Sequence, residues 1–312
     1  MAEVATSTSS SANSSARSDQ LLVVVDPVAR RLDGESVRIA KDVLSAGAAH
    51  TKVCLPDGPE EFARALGRRG SRRPVVVGDD SALLRAVALL HRQRELAGCA
   101  LSVVPVGSAL GLARSLGLPT GAVAAARAVL DGAERRLDLL VDDSDGVVLG
   151  AVGIPPAPAP APVRQRAQTH AGAGPGAEPG EPGPVRPWLR TCQSLVRTLA
   201  ASRPARTAVA PGAAGPTRLR VEVDGVTLVD LDQPVAAVTV TPGAGGVAVV
   251  EVRLLRPLSV DAQASPLTAS GRTVTVSGAH FRYRADAVVC GPVGTRTWVA
   301  RKGAWGLTLP TG

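Results

Sequence analysis

The chain has 312 residues, a length that fits one large domain or two smaller ones. Apolar residues make up 45% of it and aromatic residues only 2%, so its cores must be built from valine, leucine and alanine. The net charge is +8, almost all of it from arginine, because the chain has only three lysines. This charge has two explanations that the sequence leaves open: GC-rich coding, or attraction to phosphate in a nucleotide or an anionic lipid.

Simple patterns argue against several functional classes. The cysteines are widely spaced and form no C-x-x-C pair, which argues against a zinc site and for reduced thiols. No basic run is interleaved with aromatic residues, so nucleic-acid binding is disfavoured. No apolar run is long enough for a transmembrane helix, and the serine-rich residues 1–20 predict a disordered tail rather than a signal peptide. We predict a cytoplasmic protein, with peripheral contact to an anionic membrane left open.

Strands alternate with helices in the first half of the chain. Short apolar runs predict strands, and amphipathic segments between them predict helices. The predicted strands are 21–25, 51–55, 74–77, 101–104 and 135–141, and the predicted helices are 36–46, 59–69, 82–96 and 120–131. This alternation predicts a parallel sheet covered by helices, an α/β domain over residues 21–154.

Loops rich in glycine, aspartate, proline and serine follow Val25, Val77 and Val104. The carboxyl ends of parallel strands meet at one edge of a sheet, where α/β proteins bind ligands, so we expect these loops to meet. Residues 105–119 form a small-residue turn between a strand and a helix. Backbone N–H groups in such turns commonly hold phosphate.

The composition changes at residue 155. Residues 155–187 are rich in proline, alanine and glycine and predict a linker or insert, after which residues 188–201 predict a helix. From Leu219 onward, short strands predict an antiparallel sandwich or barrel-like unit, so that a mainly β second domain covers residues 188–312. Asp224-Gly225 marks a hairpin turn. The last predicted strands are 287–290, 296–300 and 306–309.

Six stretches occur in an order that matches a known set of motifs. They are Asp26-Pro27, Gly78-Asp79-Asp80-Ser81-Ala82, PVGSALGLARSLGLP (105–119), GAERRLDL (132–139), YRADAV (283–288) and WGLTLP (305–310). Together they resemble the diacylglycerol kinase and sphingosine kinase family of lipid kinases, which shares its nucleotide fold with NAD kinases. The motif at 105–119 is the most specific of the six.

The resemblance implies a fold, a reaction and a set of site residues. The fold is an α/β domain of the NAD kinase and diacylglycerol kinase type followed by an all-β antiparallel sandwich domain. The reaction is ATP- and Mg²⁺-dependent phosphoryl transfer to a lipid hydroxyl, such as that of diacylglycerol, in the cleft between the domains. The implied nucleotide-binding residues are Gly78, Asp79, Ser81, Gly107 and Ser108. The implied catalytic residues are Asp80 and Asp286, and no metal ligand is assigned.

Several motif positions depart from the family pattern. Asp79 stands where the family has a second glycine, and its carboxylate adds negative charge beside the expected phosphates. Ala82 replaces a threonine, and Leu110-Gly111 replaces an Asn-Asp pair. Val288 stands where the family has the glutamate presumed to act as general base, and losing a base costs roughly 10² to 10⁴ in rate.

Each site residue also has a structural explanation. Asp80, together with Asp79, is either a contact to nucleotide or Mg²⁺ or part of a helix N-cap. Gly107-Ser108 is either a phosphate cradle or a plain turn between a strand and a helix. Asp286 either positions a hydroxyl group or belongs to a turn.

Two functions therefore fit the sequence. One is an ATP-dependent lipid kinase with degenerate motifs. The other is a catalytically inactive member that binds nucleotide or lipid as a regulatory protein. An NAD kinase shares the nucleotide fold but fits the motif at 105–119 less well. The expected partners are ATP and a lipid such as diacylglycerol.

Overall fold

The computed structural model describes residues 20–156, 217–255 and 265–311. All of these residues lie in one compact unit. The predicted tail, almost the whole predicted linker and the predicted helix 188–201 fall outside the described residues. Among the described helices, none is long and apolar enough to cross a membrane.

Four parallel strands form the first part of the sheet. They are β1 (Gln20–Val25), β2 (His50–Cys54), β3 (Arg73–Gly78) and β4 (Ala100–Pro105). Parallel pairing gives the order β2-β1-β3-β4. β1, β3 and β4 are nearly continuous runs of buried apolar residues, which is typical of strands covered on both faces.

Helices cover both faces of these strands. They are α1 (Pro27–Leu32), α2 (Gly34–Gly47), α3 (Pro59–Gly67), α4 (Asp80–Arg92), α5 (Gly111–Ser115) and α6 (Ala122–Asp131). Alternate residues of β1 point to opposite sides. Leu21 and Val23 pack in a core with α2 and α6, whereas Leu22 and Val24 pack in a core with α3 and α4.

The remaining strands pair mainly antiparallel. They are β5 (Ala133–Asp142), β6 (Val147–Val148), β7 (Val152–Ile154), β8 (Thr217–Val223), β9 (Val226–Val229), β10 (Pro234–Pro242), β11 (Ala248–Leu254), β12 (Leu267–Gly271), β13 (Thr273–Ala285) and β14 (Val288–Leu309). The pairs β10–β7, β7–β13, β13–β8 and β8–β10 close a ring around a valine-rich core. The arrangement is therefore barrel-like rather than two stacked sheets. The predicted hairpin turn at Asp224-Gly225 is confirmed between β8 and β9.

One long strand joins the parallel and antiparallel strands. β14 pairs antiparallel with β13 and β5, and its Gly306 and Leu307 pair parallel with the start of β4. The prediction of three separate strands here is wrong, because both breaks, at 291–295 and between Arg301 and Trp305, are irregularities within one strand instead of turns. β5 to β7 precede the predicted boundary at residue 154, yet they pair with the antiparallel strands. The domain boundaries remain predictions.

Candidate functional site

Three loops meet at the carboxyl edge of the parallel strands. The backbone N–H of Asp26, after β1, donates to the carbonyl of Val77 in β3 at 2.8 Å. The N–H of Val106, after β4, donates to the carbonyl of Gly78 at 2.9 Å. The loops after β1, β3 and β4 are thus held together by their own backbones, as the strand order requires.

Gly78 ends β3 at the closest approach of these loops. A Cβ atom at this position would lie 2.6 Å from the Cβ of Ala82 and 3.0 Å from the Cβ of Asp26. Neither neighbouring Cβ can rotate away, because each is fixed to its backbone. Only glycine fits here without displacing β1 or α4.

We expect Gly78→Ala to lower the free energy of unfolding by about 2 kcal/mol, the usual cost of overpacking. Urea denaturation of the two proteins measures the difference. Gly34→Ala is the matched control, because nothing lies within 4 Å of a Cβ at that position in α2. The control is expected to change stability by less than about 0.5 kcal/mol. Equal stability of Gly78→Ala and wild type would contradict the close approach.

Asp26 is a buried, ion-paired carboxylate at this edge. Its side chain is buried, with the residue only 2% exposed. One oxygen lies 2.6 Å from Nη1 of Arg85, and the other accepts the N–H of Val28 at 2.8 Å and so caps α1. The Arg85 guanidinium also lies 5.5 Å from the ring centre of Phe62. Arg85 was not predicted as a site residue, because its place on α4 gives no motif signal.

Asp79 caps helix α4 with its own side chain. Its Oδ1 accepts the N–H groups of Ser81 at 3.0 Å and Ala82 at 3.2 Å. The carboxylate lies beside Gly107, where an added Cβ would be 3.1 Å from the Cβ of Asp79. Burial raises the pKa of Asp79, and the nearby charges of Asp26 and Asp80 raise it further, while the two capping N–H groups lower it. The first-turn donors of α4 are therefore satisfied by an anion that belongs to the chain.

Asp80 is the first residue of helix α4, but its side chain binds the backbone of helix α5. Its two oxygens accept the N–H groups of Leu112 and Ala113, each at 2.9 Å. Its own N–H donates to the carbonyl of Ala109 at 2.9 Å. Asp80 thus fixes the segment after β4 onto α4, and both of its oxygens are engaged. Asp79, not Asp80, is the N-cap of α4.

The Gly107-Ser108 turn presents open backbone to solvent. Gly107 has φ +129°, a conformation that favours glycine. Ser108 and Ser81 are exposed. Within the described part of the chain, the N–H groups of Gly107 and Ser108 donate no hydrogen bond. These two N–H groups are among the donors that this edge leaves without a hydrogen bond in the described residues.

Asp286 lies in the turn between β13 and β14 with φ +48°. Its Oδ1 accepts the N–H groups of Gly150 at 2.7 Å and Ala151 at 2.9 Å, and its Oδ2 accepts the N–H of Leu149 at 2.9 Å. Burial raises the pKa of Asp286, the three N–H groups lower it, and the charge of Asp80 raises it. Asp286 therefore anchors the β13–β14 turn to the loop between β6 and β7.

Leu112 lies between the two carboxylates predicted as catalytic. Its N–H is bound by Asp80, and its Cδ1 lies 3.1 Å from a Cβ placed at Gly150, which donates to Asp286. Val288, at the position of the family's presumed base, is 59% exposed. Leu112 thus links the segments that Asp80 and Asp286 hold, and no carboxylate stands at position 288.

Few of the described side chains at this edge could act as ligands of Mg²⁺. Among the described residues, no group of three or more His, Cys, Asp or Glu side chains is arranged to hold a metal ion. Both oxygens of Asp26, Asp80 and Asp286 are engaged by an arginine or by backbone N–H groups. Asp79 alone of these carboxylates has an oxygen without a hydrogen bond in the described residues. The described residues therefore offer no Mg²⁺ site made of protein ligands alone, and among these four carboxylates Asp79 is the one with an oxygen left to meet a phosphate-bound Mg²⁺.

Comparison with known proteins finds a family match over the residues that form this edge and its loops. Residues 20–141 match the diacylglycerol kinase catalytic domain, over β1 to β5 and the three loops. Residues 20–141 therefore form a diacylglycerol kinase-like catalytic domain. Three solved structures of a diacylglycerol kinase from Bacillus anthracis str. Sterne share the fold of the chain, with TM-scores of 0.61 to 0.62 at 12% identity. They cover 93% of this chain and 96 to 97% of their own chains. No curated protein matches the chain.

Proposed function

We propose that this diacylglycerol kinase-like protein binds a nucleotide or lipid in its cleft without transferring a phosphoryl group, and that it acts as a regulatory protein. One observation carries the proposal. The carboxylates of Asp79, Asp80 and Asp286 all accept hydrogen bonds from the chain's own backbone. Groups committed in this way support the loops and are poorly placed to act on a substrate.

The phosphate side of the cleft supports binding more than turnover. Gly107 and Ser108 offer open N–H groups, which suit a phosphate oxygen. Asp79 stands beside them, and its charge opposes a polyphosphate. Phosphoryl transfer needs the developing charge to be cancelled by cations, and among Asp26, Asp79, Asp80 and Asp286 only Asp79 keeps an oxygen that could meet a phosphate-bound Mg²⁺. Weak nucleotide binding is the expected result.

The acceptor side supports the same conclusion. A general base must reach the proton that it removes, and its pKa must lie near the working pH. Val288 cannot accept a proton. Asp286 already accepts three backbone N–H groups, which fill three of the roughly four acceptor positions of its carboxylate and leave it little capacity to bind a substrate proton.

An active lipid kinase is the second candidate. It is favoured by the family match over residues 20–141 and by the burial that raises the pKa of Asp286, which makes its carboxylate more basic. In this candidate Asp286 takes the proton from the lipid hydroxyl, and Gly107-Ser108 orients the ATP phosphates. Diacylglycerol as the acceptor, an anionic membrane as the place of contact and a cytoplasmic location remain predictions for both candidates.

Two measurements on the full chain separate the candidates. Thermal unfolding with ATP and Mg²⁺ measures nucleotide binding, and transfer of radiolabel from ATP to diacylglycerol in vesicles measures turnover. We expect a small stabilisation and no labelled lipid. Labelled lipid that disappears in Asp286→Asn, with folding unchanged, would establish the kinase. The absence of any shift with either ATP or diacylglycerol would overturn the binding proposal and leave the family match untouched.

A further inference from the structure

A cavity lies away from the carboxyl edge, near the end of α4 opposite Asp80. Its volume is about 870 Å³, within the range of small-molecule sites. It is bounded by the residues that follow α4, by β5, by the β10–β11 turn and by β14. We call it the basic pocket. Helix α4 runs from Asp80, at the carboxyl edge, to Arg92, a span of about 20 Å for 13 residues. The basic pocket is therefore separate from the three loops of the carboxyl edge.

The floor of the basic pocket is apolar. Leu96, Leu139 and Val141 are buried side chains that line it, together with Val247 and Ala304. Leu139 and Val141 belong to the same core as α4, so this floor is fixed by packing. Such a surface suits an alkyl chain.

The rim of the basic pocket is cationic. Arg94, Arg272, Arg301 and Lys302 line it and are exposed, and Asp145 is its one lining carboxylate. Asp145 is already matched, because its oxygens lie 2.9 Å from His91 and 3.9 Å from Arg94. Among the described residues, Arg272, Arg301 and Lys302 form no ion pair. Three cations thus face one opening without a counter-charge.

Asp138 fixes the two turns that carry this rim. Its Oδ2 accepts the N–H of Gly246 at 2.7 Å, and its Oδ1 accepts the N–H of Gly303 at 2.6 Å. Both glycines have positive φ, +84° and +53°. A Cβ at Gly246 would lie 2.8 Å from the Cβ of Lys302, so the β10–β11 turn packs directly against the basic segment. Hydrogen bonds and close packing therefore fix the positions of the two turns at the rim of the basic pocket.

We propose that the basic pocket binds a single-chain anionic amphiphile, with its phosphate or carboxylate on Arg272, Arg301 and Lys302 and its alkyl chain on the apolar floor. Charge complementarity selects the headgroup, since the surplus cations have no partner in the described chain. The concave apolar floor suits one alkyl chain better than a flat bilayer surface. This inference is independent of whether the cleft transfers phosphate.

Calorimetric titration with dodecyl phosphate, below its micelle concentration, tests the proposal. We expect Arg301→Glu/Lys302→Glu to weaken binding at least tenfold. Lys52→Glu/Arg127→Glu makes the same change in net charge at exposed residues of β2 and α6 that do not line the pocket, and it is expected to stay within about twofold of wild type. Arg301→Gln/Lys302→Gln is a milder second variant, and the far-ultraviolet circular dichroism of each variant checks folding.

Further titrations separate the sources of the signal. Dodecyl maltoside tests the alkyl chain alone, inorganic phosphate tests the anion alone, and vesicles of phosphatidylglycerol with phosphatidylcholine test a membrane surface. The proposal requires dodecyl phosphate to bind more tightly than either single-feature probe. Three results would each overturn the proposal. The first is equal weakening of dodecyl phosphate binding in the two charge-reversal variants, and the second is a single-feature probe that binds as tightly as dodecyl phosphate. The third is binding to the anionic vesicles without binding to dodecyl phosphate.

Discussion

Asp286→Ala is expected to lower the free energy of unfolding by about 3 kcal/mol. The substitution removes the acceptor of three backbone N–H groups, from Leu149, Gly150 and Ala151, and each unsatisfied buried donor costs about 1 to 3 kcal/mol. It also places alanine at φ +48°, where aspartate is tolerated better. Urea denaturation measures the loss, and hydrogen exchange of the same N–H groups locates it.

Asp286→Asn is the matched control for this expectation. The amide oxygen of asparagine can keep the hydrogen bonds to Gly150 and Ala151. We therefore expect Asp286→Asn to lower the free energy of unfolding by about half as much as Asp286→Ala. The pH dependence gives a second check. The folded-state pKa of Asp286 is raised, so the stability from this proton is fully present below the unfolded pKa of about 3.9 and is lost as pH rises through the folded pKa. The difference in the free energy of unfolding between wild type and Asp286→Asn should therefore become smaller as the pH rises through the folded-state pKa of Asp286. A wild-type stability for Asp286→Ala would contradict the anchoring role.

Asp79→Gly is expected to tighten the binding of ATP, with Mg²⁺ present, at least tenfold. The substitution removes a carboxylate beside Gly107 and frees the N–H groups of Ser81 and Ala82 at the start of α4. Tenfold corresponds to about 1.4 kcal/mol, well below the charge repulsion expected at a few ångströms. Glycine is itself a fair N-cap, so the stability cost is a few tenths of a kcal/mol. Isothermal titration calorimetry measures the affinity.

Asp79→Asn separates the two causes of this gain. The asparagine oxygen can still cap α4, so only the charge is removed. We expect an affinity between those of wild type and Asp79→Gly. If Asp79 instead recruits Mg²⁺ to the phosphates, both variants bind ATP more weakly than wild type, and that result would contradict the self-capping explanation.

Local patterns predicted much of the fold and the meeting of the loops. Val75 to Val77 indicate a buried strand because a strand covered on both faces must be apolar throughout, and the loop after such a strand lies at the carboxyl edge. The long strand β14 was not predicted, because glycine and basic residues at 301–304 also suit a turn. A strand irregularity and a turn have the same local sequence signals.

The roles of the site carboxylates depended on distant contacts. Asp80 binds N–H groups 32 and 33 residues away, and Asp286 binds N–H groups 135 to 137 residues away. No local pattern encodes which backbone donors a carboxylate will meet across such separations. The motifs therefore located these residues, but only the fold could reveal that their oxygens are already engaged.

The pairing of β14 with β4 has a consequence for how the chain acquires its structure. The hydroxyls of Ser102 and Thr308 are hydrogen-bonded across 206 residues, next to the parallel pairing of Gly306 and Leu307 with β4. Until the last strand is synthesised and docks, the N–H and C=O groups along that side of β4 have no strand partner. Open strand edges invite pairing with other chains, and contacts this distant in sequence form slowly. The nascent protein is thus most prone to aggregation in the interval before β14 closes this edge.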